Sequence, residues 1–223
     1  MTQPSIILAL DTSQAACSVA VVKDGVCLAT RQEFLKRGHA ERLLPLIDEA
    51  LLSAQCVMHD ITKIAVVVGP GAYTGVRVAV SVARGLALAL GVPCVGVSAL
   101  TVLAHQTLGS NPTIDTVYAS VAGRGDTLFF EAFKITDAGL KTTEGPKQMT
   151  LTEVEKLPNV KMLLVGSGRV QMGFDAELTA AHVPKCGVLA GLVKTLNPKD
   201  NPPEPLYLRD ADAVVGTPAF LYA

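Results

Sequence analysis

The chain has no tryptophan and only four tyrosines and six phenylalanines among its 223 residues. No run of lysine or arginine interleaves with those rings, and 19 basic against 20 acidic side chains leave a formal net charge of −1. A free-standing nucleic-acid reader needs a basic track with stacking platforms, so that class is excluded and any contact with RNA is expected to be indirect. Charge is scarce: 17% of residues are charged, against about 25% in an ordinary domain, and mean hydropathy is +0.39. With so little polar coat, some apolar surface is expected to meet a partner. The five cysteines, Cys17, Cys27, Cys56, Cys94 and Cys186, are odd in number and form no C-x-x-C pair. That excludes a disulfide framework and a zinc knuckle, and predicts buried, reduced thiols. No basic stretch precedes the apolar run Ile6 to Leu10, which Asp11 cuts short, so no signal peptide is expected. Arg77 and Arg84 interrupt the longest apolar stretch before it reaches the ~20 residues of a membrane span, and the expected location is the cytoplasm. His39, His59, His105 and His182 fall at no metal-ligand spacing, and Gly96-Val97-Ser98-Ala99-Leu100 lacks the last glycine of a nucleophile elbow.

A repeat is present instead. Ile6 to Leu10 is continuously apolar, as in a strand buried on both faces, and the turn Asp11-Thr12-Ser13-Gln14 leads to a second strand, Cys17 to Val22. Asp24-Gly25 is a hairpin turn feeding a third strand near Val26 to Thr30. A helix from His39 to Gln55, a strand Ile64 to Val68, a helix Thr74 to Leu90, a strand Pro93 to Val97 and a helix capped by Ser98 follow. After Asn111-Pro112 the order restarts with strands Thr113 to Val121, Thr127 to Ile135 and a third ending near Met149. A capping box, Thr150-Leu151-Thr152-Glu153, then opens a helix, and Met162 to Val165 is the next strand. Two three-strand meanders with helical crossovers predict a repeated ribonuclease-H-like subdomain in the α/β class, residues 1–110 and a shorter copy over 111–223. A Pro-rich tail, Asn201-Pro202-Pro203-Glu204-Pro205, is expected to wander over the surface.

Three segments could carry chemistry. Asp11-Thr12-Ser13 sits at a strand tip where a carboxylate and two hydroxyls could hold a metal-bound phosphate, or where ordinary turn formers could bond their own backbone. Gly69-Pro70-Gly71-Ala72-Tyr73-Thr74-Gly75 leads into a helix N-terminus, a place that favours anions, though it matches neither nucleotide-loop pattern; it also reads as a tight turn with Thr74 as N-cap. In the helix that follows, only Arg77, Ser81 and Arg84 are polar between Gly75 and Gly91, and they share an arc of roughly 60°. The preceding helix places Ala40, Leu43, Leu44, Leu46, Ile47, Ala50, Leu51 and Ala54 over about 160°, with Pro45 expected to bend it or begin it. Both helices carry more apolar surface than one sheet face covers, which indicates a helical docking face or cover from the second half of the chain. His39 and Glu41 read as solvated first-turn residues.

At these residues the chain resembles a known family. Ile7-Leu8-Ala9-Leu10-Asp11-Thr12-Ser13, Ala16-Cys17-Ser18-Val19-Ala20, His39-Ala40-Glu41-Arg42-Leu43-Leu44-Pro45, the Gly69 to Arg77 loop with Ala83-Arg84-Gly85-Leu86-Ala87, Gly96 to Leu100 and Pro205-Leu206-Tyr207-Leu208-Arg209 are similar to the TsaB, or YeaZ, family. The resemblance implies the actin/Hsp70/sugar-kinase fold, with two related subdomains, each a mixed sheet with flanking helices. It implies a non-catalytic scaffold in making N6-threonylcarbamoyladenosine at position 37 of tRNAs reading ANN codons. The implied partners are a TsaD-like catalytic subunit, which carries the metal histidines, and a TsaE-like ATPase, with a homodimer when the chain is isolated. The pairing face it implies takes in His39, Glu41, Leu43, Leu46, Tyr73, Thr74, Val78 and Val82. No cofactor is expected for the chain alone; ATP or ADP with Mg at the interface of the assembled complex stays open. Relatives usually have Asp-Ala-Arg where this chain has Ala122-Gly123-Arg124, so the acid that would face Asp11 is missing, and Gly166-Ser167-Gly168 is a poor adenosine-holding segment. The rival expectation is an ATP-dependent kinase or ATPase of the same fold, resting on Asp11, Thr12 and Ser13; a zinc glycoprotease lacks its histidines.

Overall fold

The computed structural model describes residues 4–108, 113–157 and 162–208. The expected division between residues 110 and 111, the final Arg209 of the late motif and all that follows lie outside them. The first half runs β1 (Ile6–Asp11), β2 (Ala16–Lys23), β3 (Val26–Phe34), α1 (His39–Ser53), β4 (Lys63–Val67), α2 (Tyr73–Leu90), β5 (Cys94–Val97) and α3 (Ala99–His105). The second runs β6 (Thr116–Ala122), β7 (Thr127–Thr136), β8 (Gly139–Thr150), α4 (Leu151–Glu155), β9 (Met162–Val165), α5 (Gly168–Gln171) and α6 (Cys186–Leu192). The sheets are ordered β3-β2-β1-β4-β5 and β8-β7-β6-β9. In each, an antiparallel meander is joined in parallel by a strand that arrives through a helix. This is the ribonuclease-H-like order twice over, and the actin/Hsp70/sugar-kinase fold.

Local signals act as the residues dictate. Asp24 and Gly25 take φ of 48° and 92°, the pair of left-handed residues a two-residue hairpin needs. The Ser98 hydroxyl accepts from the Leu100 N–H at the start of α3, and the Thr150–Glu153 capping box closes on both sides. Three expectations are corrected. Pro45 lies inside α1, which begins six residues earlier after left-handed Gly38. Thr74 is not the N-cap of α2; Ala72 is, because its N–H is already spent on the Ser13 carbonyl at 2.7 Å, which closes the loop. The tail does not wander: the Gly96 N–H donates to the Asn201 carbonyl at 3.0 Å and the Leu206 N–H to that of Val68 at 2.7 Å.

The layers alternate. α1 and α2 cover one face of the first sheet, through Leu8, Leu10, Val19, Val66, Leu43, Leu46, Val76 and Ala79. α2 is long and apolar enough, by length and composition, to cross a membrane, contrary to expectation; here its inward stripe packs on the sheet. The other face of that sheet receives α6, while α3 lies on the inner face of the second sheet, and the two helices meet in one core with Leu100, Leu103, Leu189 and Val193. Each half of the chain thus supplies a helix to the other's sheet. The Gln106 amide fixes the exchange, accepting from the Lys185 N–H at 2.7 Å and donating to the Val183 carbonyl at 3.3 Å. The Lys63 ammonium binds the Val193 carbonyl at the end of α6 at 2.9 Å. α4 and α5 cover the outer face of the second sheet around Tyr118, Leu128, Phe130 and Leu164. All five cysteines are free, but only Cys17 and Cys186 are buried; Cys27, on the exposed start of β3, corrects the expectation of burial throughout.

Candidate functional site

The turn after β1 is the most polar point of the interior. Asp11, Thr12 and Ser13 are all fully buried, brought together where β1 ends against the N-terminus of α2. One Asp11 oxygen accepts from the Ser13 N–H at 2.7 Å, the self-capping expected of a turn acid. The Thr12 hydroxyl donates to the Gly75 carbonyl at 2.6 Å. Glycines allow this contact: a Cβ on Gly71 would stand 2.0 Å from the Ser13 carbonyl oxygen, and one on Gly75 would stand 2.0 Å from that of Thr12. Asp11 Oδ2, Ser13 Oγ and Gln14 Nε2 are buried without a hydrogen-bond partner. Burial pushes the Asp11 carboxyl up to about 6, against the pull of the neighbouring Ser13 groups. Its charge also helps raise the thiols of Cys186 and Cys17, in both of which burial is the larger cause.

The equivalent turn of the second half carries Ala122 where the first carries Asp11. Ser167, which is buried, accepts from the Ala122 N–H at 3.0 Å and donates to the Gln14 side-chain Oε1 at 2.6 Å, linking the two turns across the cleft. Gln171 holds the same turn from behind, accepting from the Gly123 N–H at 3.1 Å and donating to the Gly125 carbonyl at 2.6 Å. The close approach of Gly168 is to Ser120, whose Oγ would lie 2.4 Å from an added Cβ. One carboxylate whose proton is held to about 6, with no second acid opposite, is a weak ligand set for Mg²⁺ and a bound phosphate, since hard cations need several charged oxygens. Among the described residues no group of three His, Cys, Asp or Glu side chains is placed to hold a metal ion. Sequence reasoning missed Gln14, Ser167 and Gln171. The sequence places Gln14 in the first turn and Ser167 in a Gly-Ser-Gly segment, but nothing in either local pattern marks the link between them, which joins residues 153 positions apart.

The expected pairing residues separate into three groups. Tyr73, Thr74 and Glu41 are exposed; His39, Val78 and Val82 are half-buried, with His39 Nε2 buried and unpartnered. Leu43 and Leu46 are fully buried in the chain's own core and present no surface, which corrects their place in a docking face. The outer apolar side chains of α1 are Leu44 and Leu52, the latter 80% exposed, and on α2 Leu88 is 86% exposed. Among the described residues, nothing from the second half lies over them. At the head of α2, Tyr73 and Tyr207 stack with centroids 5.6 Å apart, and Arg77 sits 3.9 Å over the Tyr73 ring.

Over residues 32–196 the chain matches the family described as TsaD: tRNA N6-adenosine threonylcarbamoyltransferase. It is 33% identical over 173 residues to the tRNA threonylcarbamoyladenosine biosynthesis protein TsaB of Buchnera aphidicola subsp. Schizaphis graminum, spanning 73% of this chain and 79% of that protein. The chain belongs to the TsaB family. The TsaB protein of Escherichia coli is 37% identical over 125 residues, 56% of this chain and 54% of that one. The structure of YeaZ from Pseudomonas aeruginosa superposes with a TM-score of 0.76 at 29% identity, covering 92% of this chain and all of that one. In this TsaB-family chain, the features read from the sequence divide into a buried turn and an outward helical face.

Proposed function

We propose that the chain takes part in tRNA threonylcarbamoyladenosine biosynthesis as a non-catalytic subunit. It pairs with a TsaD-like catalytic subunit through the outer faces of α1 and α2 and works with a TsaE-like ATPase. The observation that carries this reading is the uncovered α1–α2 face, with Leu44, Leu52 and Leu88 turned outward on helices whose inner stripes already fill the core. Exposed apolar side chains grouped on neighbouring elements mark an interaction surface. The Buchnera and Escherichia relatives are named for this biosynthesis. The tRNA is reached through the partner, because a net charge of −1 gives no phosphate track. An isolated chain covers the same face with a second copy.

Reconstitution with the TsaD-like and TsaE-like proteins of the same organism, leaving out one component at a time, tests the reading. Modification at position 37 should require this chain, and the chain alone should produce none. A second reading, an ATP-dependent kinase or ATPase, is favoured by the buried Asp11 at the end of β1. Micromolar heat on titrating Mg-ATP into the isolated chain, with turnover, would replace the first reading by the second. Light scattering at tens of micromolar should show a dimer; a monomer counts against the docking face.

A further inference from the structure

We propose that the tail segment 201–208 is a working part of the docking face, a clip that holds Arg77 as the anchor for a carboxylate presented by a protein partner. The inference rests on the docking reading above and adds to it the anchoring residue, the segment that positions it and the chemistry it meets.

Two backbone hydrogen bonds fasten the segment to the ends of β4 and β5, at Val68 and Gly96. Leu206 packs against the core of the first sheet. With Leu206 fixed, the next side chain is delivered to the outer face of α2. Tyr207 stays 48% exposed and Tyr73 58%, yet the two rings stack on each other. Burial alone does not account for a pair of tyrosines left in water. Their common neighbour does: Arg77 Nε donates to the Tyr207 hydroxyl at 2.7 Å while its guanidinium lies 3.9 Å from the Tyr73 centroid. A guanidinium is planar and stacks on rings, so the pair fixes its orientation before any partner arrives, which removes an ordering cost from binding. Tyrosine and arginine are also the residue types that dominate interface energetics.

The charge pattern selects the partner. α2 carries Arg77 and Arg84 and no acidic residue. Neither arginine is paired with a carboxylate among the described residues. The neighbouring α1 exposes Glu41 and Asp48, while its Glu49 is paired with Arg42 at 2.8 Å, which leaves the helix net acidic. A polyanion approaching Arg77 would meet that acidic helix, whereas a protein surface bearing both signs complements the two helices side by side. The occupant is therefore a protein that sets a carboxylate against Arg77, which on the docking reading is the TsaD-like partner.

The test is calorimetric affinity for that purified partner at low and physiological salt. Tyr207→Ala and Arg77→Gln should each weaken binding tenfold or more, and Tyr207→Phe, which keeps the stack but loses the hydroxyl acceptor, should fall between wild type and Tyr207→Ala. Melting temperatures should stay within a few degrees of wild type. Arg77→Gln disturbs nothing buried and keeps the test decidable if Tyr207→Ala unfolds the chain. If wild type binds the partner and both variants bind within twofold of it, the clip is refuted and the docking reading survives. If wild type does not bind the partner, both fall. If the variants lose affinity for tRNA instead, with partner affinity unchanged, the anchor serves a polyanion and the inference is wrong.

Discussion

β1 and β6 hold the same place in their sheets, each flanked by the second strand of its meander and by a parallel strand. β1 is buried along all six residues and ends on a buried acid; β6 ends on exposed Ala122. β7 keeps an acid inside the strand itself: Glu131 is 5% exposed, its Oε2 has no partner, and burial pushes its carboxyl up to about 7. Beyond it β8 is exposed over most of its length. The shared strand order therefore does not depend on a particular acid at a particular turn. It depends on apolar strands and on helical connections that return the chain, and those are present in both halves while the polar interior differs.

Four measurements would break or sharpen that comparison. Leu8→Ala in the first sheet and Phe130→Ala in the second remove fully buried side chains, and each should cost about 3–5 kcal/mol in denaturant unfolding. Because α3 and α6 are exchanged, both variants should unfold in one transition; a second transition confined to one variant would show that the halves are independent. Glu131→Gln comes next. Its folded-state pKa of about 7 lies above the ordinary 4.5, so the folded form holds the proton longer than the unfolded one. Wild-type stability should then fall as pH rises from about 4.5 to about 7 and level off above. Removing the charge should raise stability at pH 8 by about 1–3 kcal/mol and flatten that slope; an unchanged pH profile would place the carboxylate in contact with water.

Ser167→Ala removes the acceptor of the Ala122 N–H and the link to Gln14, and should cost about 1–2 kcal/mol. Asp11→Asn should change stability least. The lost charge penalty is offset by a buried amide without an acceptor, so the net change at pH 8 is within about 1 kcal/mol. The part of the wild-type slope between about pH 4 and 6 that comes from the Asp11 carboxyl, whose folded-state value is about 6, should be lost, leaving the part due to Glu131. Modification of tRNA by the reconstituted complex should stay within about tenfold; a thousandfold loss with normal assembly on a sizing column would make Asp11 a catalytic group.

Strands with unbroken apolar runs, such as β1 and β4, were legible because burial on both faces leaves no alternation to misread. The hairpin at Asp24-Gly25 and the box at Thr150–Glu153 were legible because their chemistry is local. α6 was not: seven residues with two glycines show too little periodicity, and its burial comes from a sheet encoded well over a hundred residues earlier. The N-terminus of α2 was misplaced because tertiary closure on the Ser13 carbonyl, rather than a side-chain cap, sets it. Leu43 and Leu46, which the family resemblance places in the pairing face, lie in the core instead. An apolar arc of about 160° shows that a helix is two-sided but not which edge meets the sheet.

The exchange of α3 and α6 also has a consequence for synthesis. Ile7, Ala9, Ala20, Val22, Ala65, Val67, Val95 and Val97 line the face of the first sheet that α6 covers. Those strands leave the ribosome complete at Val97, but their cover ends at Leu192, on the order of 5–20 s later at ordinary elongation rates. Throughout that interval the nascent first half carries an apolar face with nothing yet made to shield it, and that face is the surface a holding chaperone would occupy until α6 emerges.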